Sequence, residues 1–283
     1  MTKRSLGIIA ASGAAAAAVA VFAACRLLPD AAASPGAVPG LGAPPGKADP
    51  NAVPVLVELF TSEGCSSCPP ADQVLAKLER EQSVGGARVV PLGLHVDYWD
   101  RLGWADPFAS SRISERQRGY ATRLGNGSYT PQAVIDGRAE AVGSRKGSVE
   151  SLIAEAAKRP HASIAIDVTK RDEQVGAYEI TLRVGALPAD AATDAELVAT
   201  LTQNGARVAV ARGENSGSTL EHTAIARELV VVAAAPREGI PTKTTTLKAP
   251  VGIAARDLRV VAFVQERGTR RVLGTATKDL VTP

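Results

Sequence analysis

Cys65 and Cys68 stand two residues apart, directly after an apolar run (Val55 to Phe60) and directly before a segment with helical spacing. A thiol pair at that separation closes into a disulfide with little backbone movement, and the strand, C-x-x-C, helix order is the context of a redox motif. If the pair heads a helix, the partial positive charge at the helix start favours one cysteine as the thiolate. A two-residue loop also constrains the unfolded chain little, so a purely structural staple explains the pair poorly.

The 283 residues carry a formal net charge of only +3. A balance this small and dispersed gives no electrostatic footprint for nucleic acid. Lys3 and Arg4 precede an uncharged stretch, Leu6 to Ala24, which has the shape of a secretory signal. Residues 1–33 therefore read as a signal peptide or lipoprotein signal, with Cys25 the residue a lipid would take. An uncleaved anchor is a third outcome, since the apolar run is long enough to span. Each outcome exports the rest of the chain to the periplasm or cell envelope. Residues 34–52, rich in Pro, Gly and Ala, read as a flexible linker.

From Val53 the pattern alternates between element types. Val55 to Phe60 predicts a central strand, Ala71 to Glu81 a helix, Arg88 to Val96 a strand and Ser110 to Leu124 a polar helix. Ala133-Val134-Ile135 and Glu140-Ala141-Val142 flank an Asp136-Gly137 turn and predict a hairpin. Ser148 to Lys158 predicts a further helix. Beyond Pro160 the character changes to short period-two runs, such as Tyr178 to Val184 and Arg259 to Val264. Many short strands with little helix suggest an all-β sandwich. The expected division is 53–160 and 161–283.

The stretch from Phe60 to Asp72 (FTSEGCSSCPPAD) resembles the signature of a bacterial family of exported, functionally uncharacterised proteins with a thioredoxin-like fold. His95 to Asp100, Leu102-Gly103-Trp104, Tyr129 to Gln132 and Gly213 to Gly217 resemble further blocks of that family. The resemblance implies an α/β thioredoxin-like domain at 53–160, followed by the sandwich-like β domain. It implies that Cys65 is the exposed nucleophile and Cys68 the resolving thiol of a thiol–disulfide oxidoreductase. A mixed disulfide formed at Cys65 would then be broken by Cys68. It also implies a cis bond at Thr130-Pro131, with the Thr130 backbone beside an extended substrate.

Other residues join the candidate site on chemical grounds. Glu58 is a carboxylate in an apolar strand, and burial would raise its pKa. The resemblance to thioredoxin-like proteins implies that an acid on this strand exchanges protons with the resolving cysteine. His95, Asp97, Tyr98, Trp99 and Trp104 cluster after the second strand, where ligands in open α/β sheets tend to bind. They read as an aromatic substrate-binding wall with polar contacts. Glu63 reads as a solvated loop residue, and His161 and His222 as surface residues. No nucleotide loop, paired-carboxylate or zinc-protease motif is present in the sequence.

The expected function is thiol–disulfide exchange with a protein thiol or disulfide partner, using the Cys65–Cys68 pair and no cofactor. Nucleic acid is not expected as a partner, and the membrane only through the N-terminal segment. Two alternatives stay open. One is a copper or other soft-metal protein using Cys65, Cys68 and His95. The other is a thioredoxin-like binding module whose disulfide is inert.

Overall fold

The computed structural model describes residues 52–172 and 176–280. The expected signal, the Cys25 lipid site and nearly all of the 34–52 linker lie outside the described residues. The strands are β1 (Val53–Thr61), β2 (Ser83–Val84), β3 (Ala87–His95), β4 (Gln132–Ile135), β5 (Ala139–Val142), β6 (Ile164–Asp172), β7 (Ala177–Val184) and β8 (Ala195–Gln203). They continue with β9 (Ala206–Ala209), β10 (Thr219–His222), β11 (Ile225–Ala226), β12 (Val230–Ala234), β13 (Ile240–Lys248), β14 (Leu258–Glu266) and β15 (Val272–Asp279). The α-helices among the described residues are α1 (Pro69–Glu81), α2 (Ser111–Leu124) and α3 (Lys146–Ala156).

β1 is buried from Val55 to Thr61, as an apolar central strand must be. It pairs parallel with β3 and antiparallel with β4. Successive side chains alternate between the two faces. Val55, Val57 and Leu59 pack with Leu75 and Leu78 of α1 and Ile153 of α3, whereas Leu56 and Phe60 pack with Ile113 and Tyr120 of α2. Helices on both faces explain why β1 carries almost no polar residue, and they make Glu58 stand out.

The expected fold class, an α/β thioredoxin-like domain followed by an all-β sandwich-like domain, is corrected by the sheet. The protein is mostly β, and one mixed ten-stranded sheet runs β15-β14-β8-β11-β3-β1-β4-β5, with β12 on β8 and β2 on β3. Strands on both sides of residue 160 thus share a sheet. The joint is β11, a two-residue strand pairing parallel with β3 and antiparallel with β8. Gly93 makes the joint physically accessible: its N–H donates to the Ala224 carbonyl at 2.7 Å, and a Cβ there would come 3.1 Å from the Thr223 carbonyl oxygen. Two residues carry no period, so β11 leaves no pattern in the sequence.

A separate three-stranded sheet, β13-β7-β6, lies over the far end of the large sheet. Ile166, Ile180 and Leu182 pack there against Leu197, Val260 and Val264. Two facing β layers do exist in this region, but one of them is the extension of the central sheet. The remaining pair, β9 and β10, forms a hairpin outside both sheets. Its tip reaches back to the loop after β1.

Candidate functional site

Cys65 and Cys68 form a disulfide, with their Cα atoms 5.4 Å apart. α1 begins after the pair rather than at Cys65. Cys68 is its N-cap and Pro69 and Pro70 fill the first helical positions. Those positions have no intrahelical partner for an N–H, so the prolines cost the helix nothing there. The Ala71 and Asp72 N–H groups donate to the Cys68 carbonyl.

The Cys65 sulfur sits at the end of a directed hydrogen-bond chain. Trp99 Nε1 donates to Thr130 Oγ1 at 2.8 Å, and the Thr130 hydroxyl lies 3.2 Å from Cys65 Sγ as its donor. The Thr130 oxygen accepts from the indole, and its own proton has the Cys65 sulfur and the Tyr98 hydroxyl as neighbouring acceptors. Ser67 Oγ lies 3.4 Å from the same sulfur. The Thr130-Pro131 peptide is cis. Cys65, Cys68, Thr130, Pro131 and Trp99 are thus gathered at one place.

The aromatic segment divides between two neighbourhoods. Tyr98 hydroxyl donates to Gln117 Oε1, and the Asp97 carboxylate accepts from the Ser114 hydroxyl at 2.5 Å, so both are tied to α2. Trp104 Nε1 donates to Glu63 Oε2 at 2.7 Å. His95 turns inward and is buried, its ring edge-on to Phe108 and His222 at 5.2 and 4.8 Å.

Glu58 faces the α2 side of β1, together with Leu56 and Phe60. Its Oε1 accepts from Arg116 Nε at 2.6 Å and its Oε2 from the Tyr120 hydroxyl at 2.5 Å. Arg116 also donates to Gln265 at 2.8 Å and to the Tyr120 oxygen at 3.0 Å. Burial opposes the Tyr120 phenolate and places its pKa well above the ordinary value. Every oxygen of Glu58 is occupied away from the cysteines.

The acids beside the disulfide loop are Glu63, Asp72 and Asp106. Asp106 Oδ2 accepts from the Glu63 N–H at 2.9 Å and lies 2.7 Å from His95 Nδ1. Burial disfavours both charges, yet their mutual attraction prevails: the His95 pKa is raised and that of Asp106 lowered. Burial lifts the Asp72 carboxyl above its ordinary range, partly offset by His222 and His95. His222 Nε2 lies 3.3 Å from Glu63 Oε1, within ion-pair reach but without hydrogen-bond geometry, and neither atom has another partner. Buried polar atoms left in this way are rare and mark places of function or strain.

Glu63 and His222, expected at the surface, are therefore buried, and His161 is held by Asp136 at 2.8 Å with little exposure. Asp106, Asn215 and Glu214 also border the disulfide loop, without a chemical signature in the sequence. Asn215 Nδ2 donates to the carbonyls of Glu63 and Cys65 at 2.8 and 3.0 Å. Glu214 Oε2 accepts from the Ser66 N–H and hydroxyl at 3.0 and 2.7 Å. The Gly213 to Gly217 block was legible as a motif, but His222 carries no local signal at all. For the soft-metal alternative, His95 Nδ1 is engaged by Asp106, and no group of three His, Cys, Asp or Glu suited to a metal ion occurs among the described residues.

A family model described as "Protein of unknown function (DUF1223)" matches residues 56–265. The chain belongs to that family. The match covers the disulfide loop, the aromatic segment and the β9–β10 hairpin of this DUF1223 protein. Among solved structures, protein AGR_C_4864 from Agrobacterium tumefaciens is similar at 28% identity and a TM-score of 0.60, over 82% of this chain and 96% of that one. HBP35 of Porphyromonas gingivalis is similar in fold at 17% identity and a TM-score of 0.54, over 81% of this chain and 75% of that one. No curated protein matches. Among the described residues, no helix is long and apolar enough to cross a membrane.

Proposed function

We propose that this protein exchanges thiols and disulfides with protein partners through Cys65 and Cys68, outside the cytoplasm. The observation that carries the reading is the donor chain from Trp99 through the Thr130 hydroxyl to the Cys65 sulfur. A hydroxyl fixed as a donor stabilises a thiolate and so makes Cys65 the better nucleophile and leaving group. A purely structural staple has no use for such a donor. The uncharged stretch behind Lys3 and Arg4, and a disulfide in itself, fit an oxidising compartment.

A substrate thiolate attacks Cys65 Sγ, the Cys65–Cys68 bond breaks, and its electron pair leaves on Cys68 Sγ, which takes up a proton. The substrate is now joined to Cys65 by a mixed disulfide. A second substrate thiolate attacks the substrate sulfur of that bond, and Cys65 leaves as a thiolate facing the Thr130 and Ser67 hydroxyls. The substrate has lost two electrons and the Cys65–Cys68 pair has gained them. Run in reverse, the same steps reduce a substrate disulfide, and the reduction potential sets the direction.

The test is the catalysed reduction of a disulfide-bonded test protein by dithiothreitol. The full protein is expected to accelerate it. Cys65→Ser is expected to abolish the acceleration, and Thr130→Val to lower it about tenfold, the worth of one hydrogen bond to a charged group. No acceleration by the wild-type protein overturns the proposal.

A further inference from the structure

Both sulfurs of the disulfide are fully buried, although the two residues between them, Ser66 and Ser67, are exposed. The tip of the β9–β10 hairpin bonds to the main chain on either side of Cys65, while the Thr130 and Ser67 hydroxyls lie against the Cys65 sulfur. Gly213 and Gly217 at its tip adopt positive φ angles, +79° and +83°, which the tight turn requires and which other residues rarely take. The turn delivers Asn215 and Glu214 to the main chain around Cys65. Asn215 is buried and supplies both N–H donors to the Glu63 and Cys65 carbonyls, while the exposed Glu214 supplies the acceptor for Ser66.

We infer that the β9–β10 hairpin is a cap that occupies the docking place of the substrate chain and must be displaced before Cys65 can react. The inference rests on the exchange reading above and names the class of partner that reading requires. The groups the cap satisfies are two carbonyls and one N–H of an irregular main chain. Uncovered, the Glu63 carbonyl and the Ser66 N–H would need new partners, whereas the Cys65 carbonyl would keep the Cys68 N–H, because an unsatisfied buried polar group is costly. An extended polypeptide carries N–H and C=O groups on one edge and supplies both kinds of partner. The fitting ligand is therefore an extended segment of a protein containing a cysteine, which replaces the side-chain contacts of Asn215 and Glu214 with main-chain contacts of its own. The segment Gly213 to Gly217 acts as a built-in competitor for that place.

The test measures the rate at which dithiothreitol reduces Cys65–Cys68 in the full protein, in Asn215→Ala and in Glu214→Ala. Loosening the cap is expected to raise the rate about tenfold in Asn215→Ala and severalfold in Glu214→Ala, in keeping with the loss of one or two hydrogen bonds. The wild-type rate is expected to level off at high dithiothreitol, where cap opening becomes limiting. Equal rates in all three proteins, with no levelling, overturn the cap. Glu214 is exposed, so its variant keeps the test valid if Asn215→Ala folds poorly. Faster reduction of the variants without catalysis of a test protein's reduction would keep the cap and remove the exchange function, so the two failures are distinct.

Discussion

Glu58 and Glu63 lie five residues apart on the same stretch of chain, both fully buried, yet they live in opposite kinds of surroundings. Glu58 has both oxygens paired, to Arg116 and Tyr120, and Arg116 is further held by Gln265. Glu63 has one oxygen held by Trp104, while the other faces a His222 nitrogen without bonding to it. A buried network with every member satisfied rigidifies the fold; one left partly open carries the cost of its unpaired polar atoms. The difference separates a strut across the α2 face from a site beside the disulfide loop.

The largest expected effect breaks the strut. Glu58→Ala leaves the Arg116 guanidinium buried without its carboxylate, and stability should fall by about 3–5 kcal/mol in urea unfolding. A change under about 1 kcal/mol would mean that the pair is worth no more than an exposed one.

The next effect sharpens the site side. Asp106→Asn removes the charge beside His95 and should cost about 2 kcal/mol near pH 5.5, as for a hydrogen bond between charged groups. The His95 pKa is raised in the fold, so its contribution is complete below about pH 6.5 and fades as pH rises through the folded value. The Asp106 pKa is lowered, so its contribution is complete above about pH 4 and fades as pH falls through the folded value. The stability gap between the two proteins should therefore peak between those limits. A gap independent of pH would contradict a charged pair.

The smallest effect is Glu63→Gln. The amide oxygen can still accept from Trp104, and the unpaired oxygen has no bond to lose, so thermal unfolding should reveal a change below about 1 kcal/mol. A loss as large as that of Glu58→Ala would make the two carboxylates equivalent and remove the contrast.

Much of the region around the disulfide is legible in the sequence because its signals are local. The apolar run of β1, the helical face of α1, the β4–β5 turn at Asp136-Gly137 and the Cys65–Cys68 spacing are each read within a dozen residues. The joining of the sheet is not legible, because it depends on the two residues of β11 and on a close approach at Gly93. Glu63 looks like a solvated loop residue until β10 places His222 over it. Glu58 looks like a proton carrier for the cysteines until strand alternation turns it towards Arg116. In each case the deciding partner comes from a distant part of the chain, and tertiary contact overrides the local reading.

The most direct measurement is the equilibrium reduction potential of Cys65–Cys68 in the purified protein. Exchange with protein partners predicts a value above about −300 mV, where the pair is labile rather than locked. A value well below about −300 mV, together with no mixed disulfide formed by Cys68→Ser and a cysteine-containing peptide, would contradict it and leave the disulfide a structural staple.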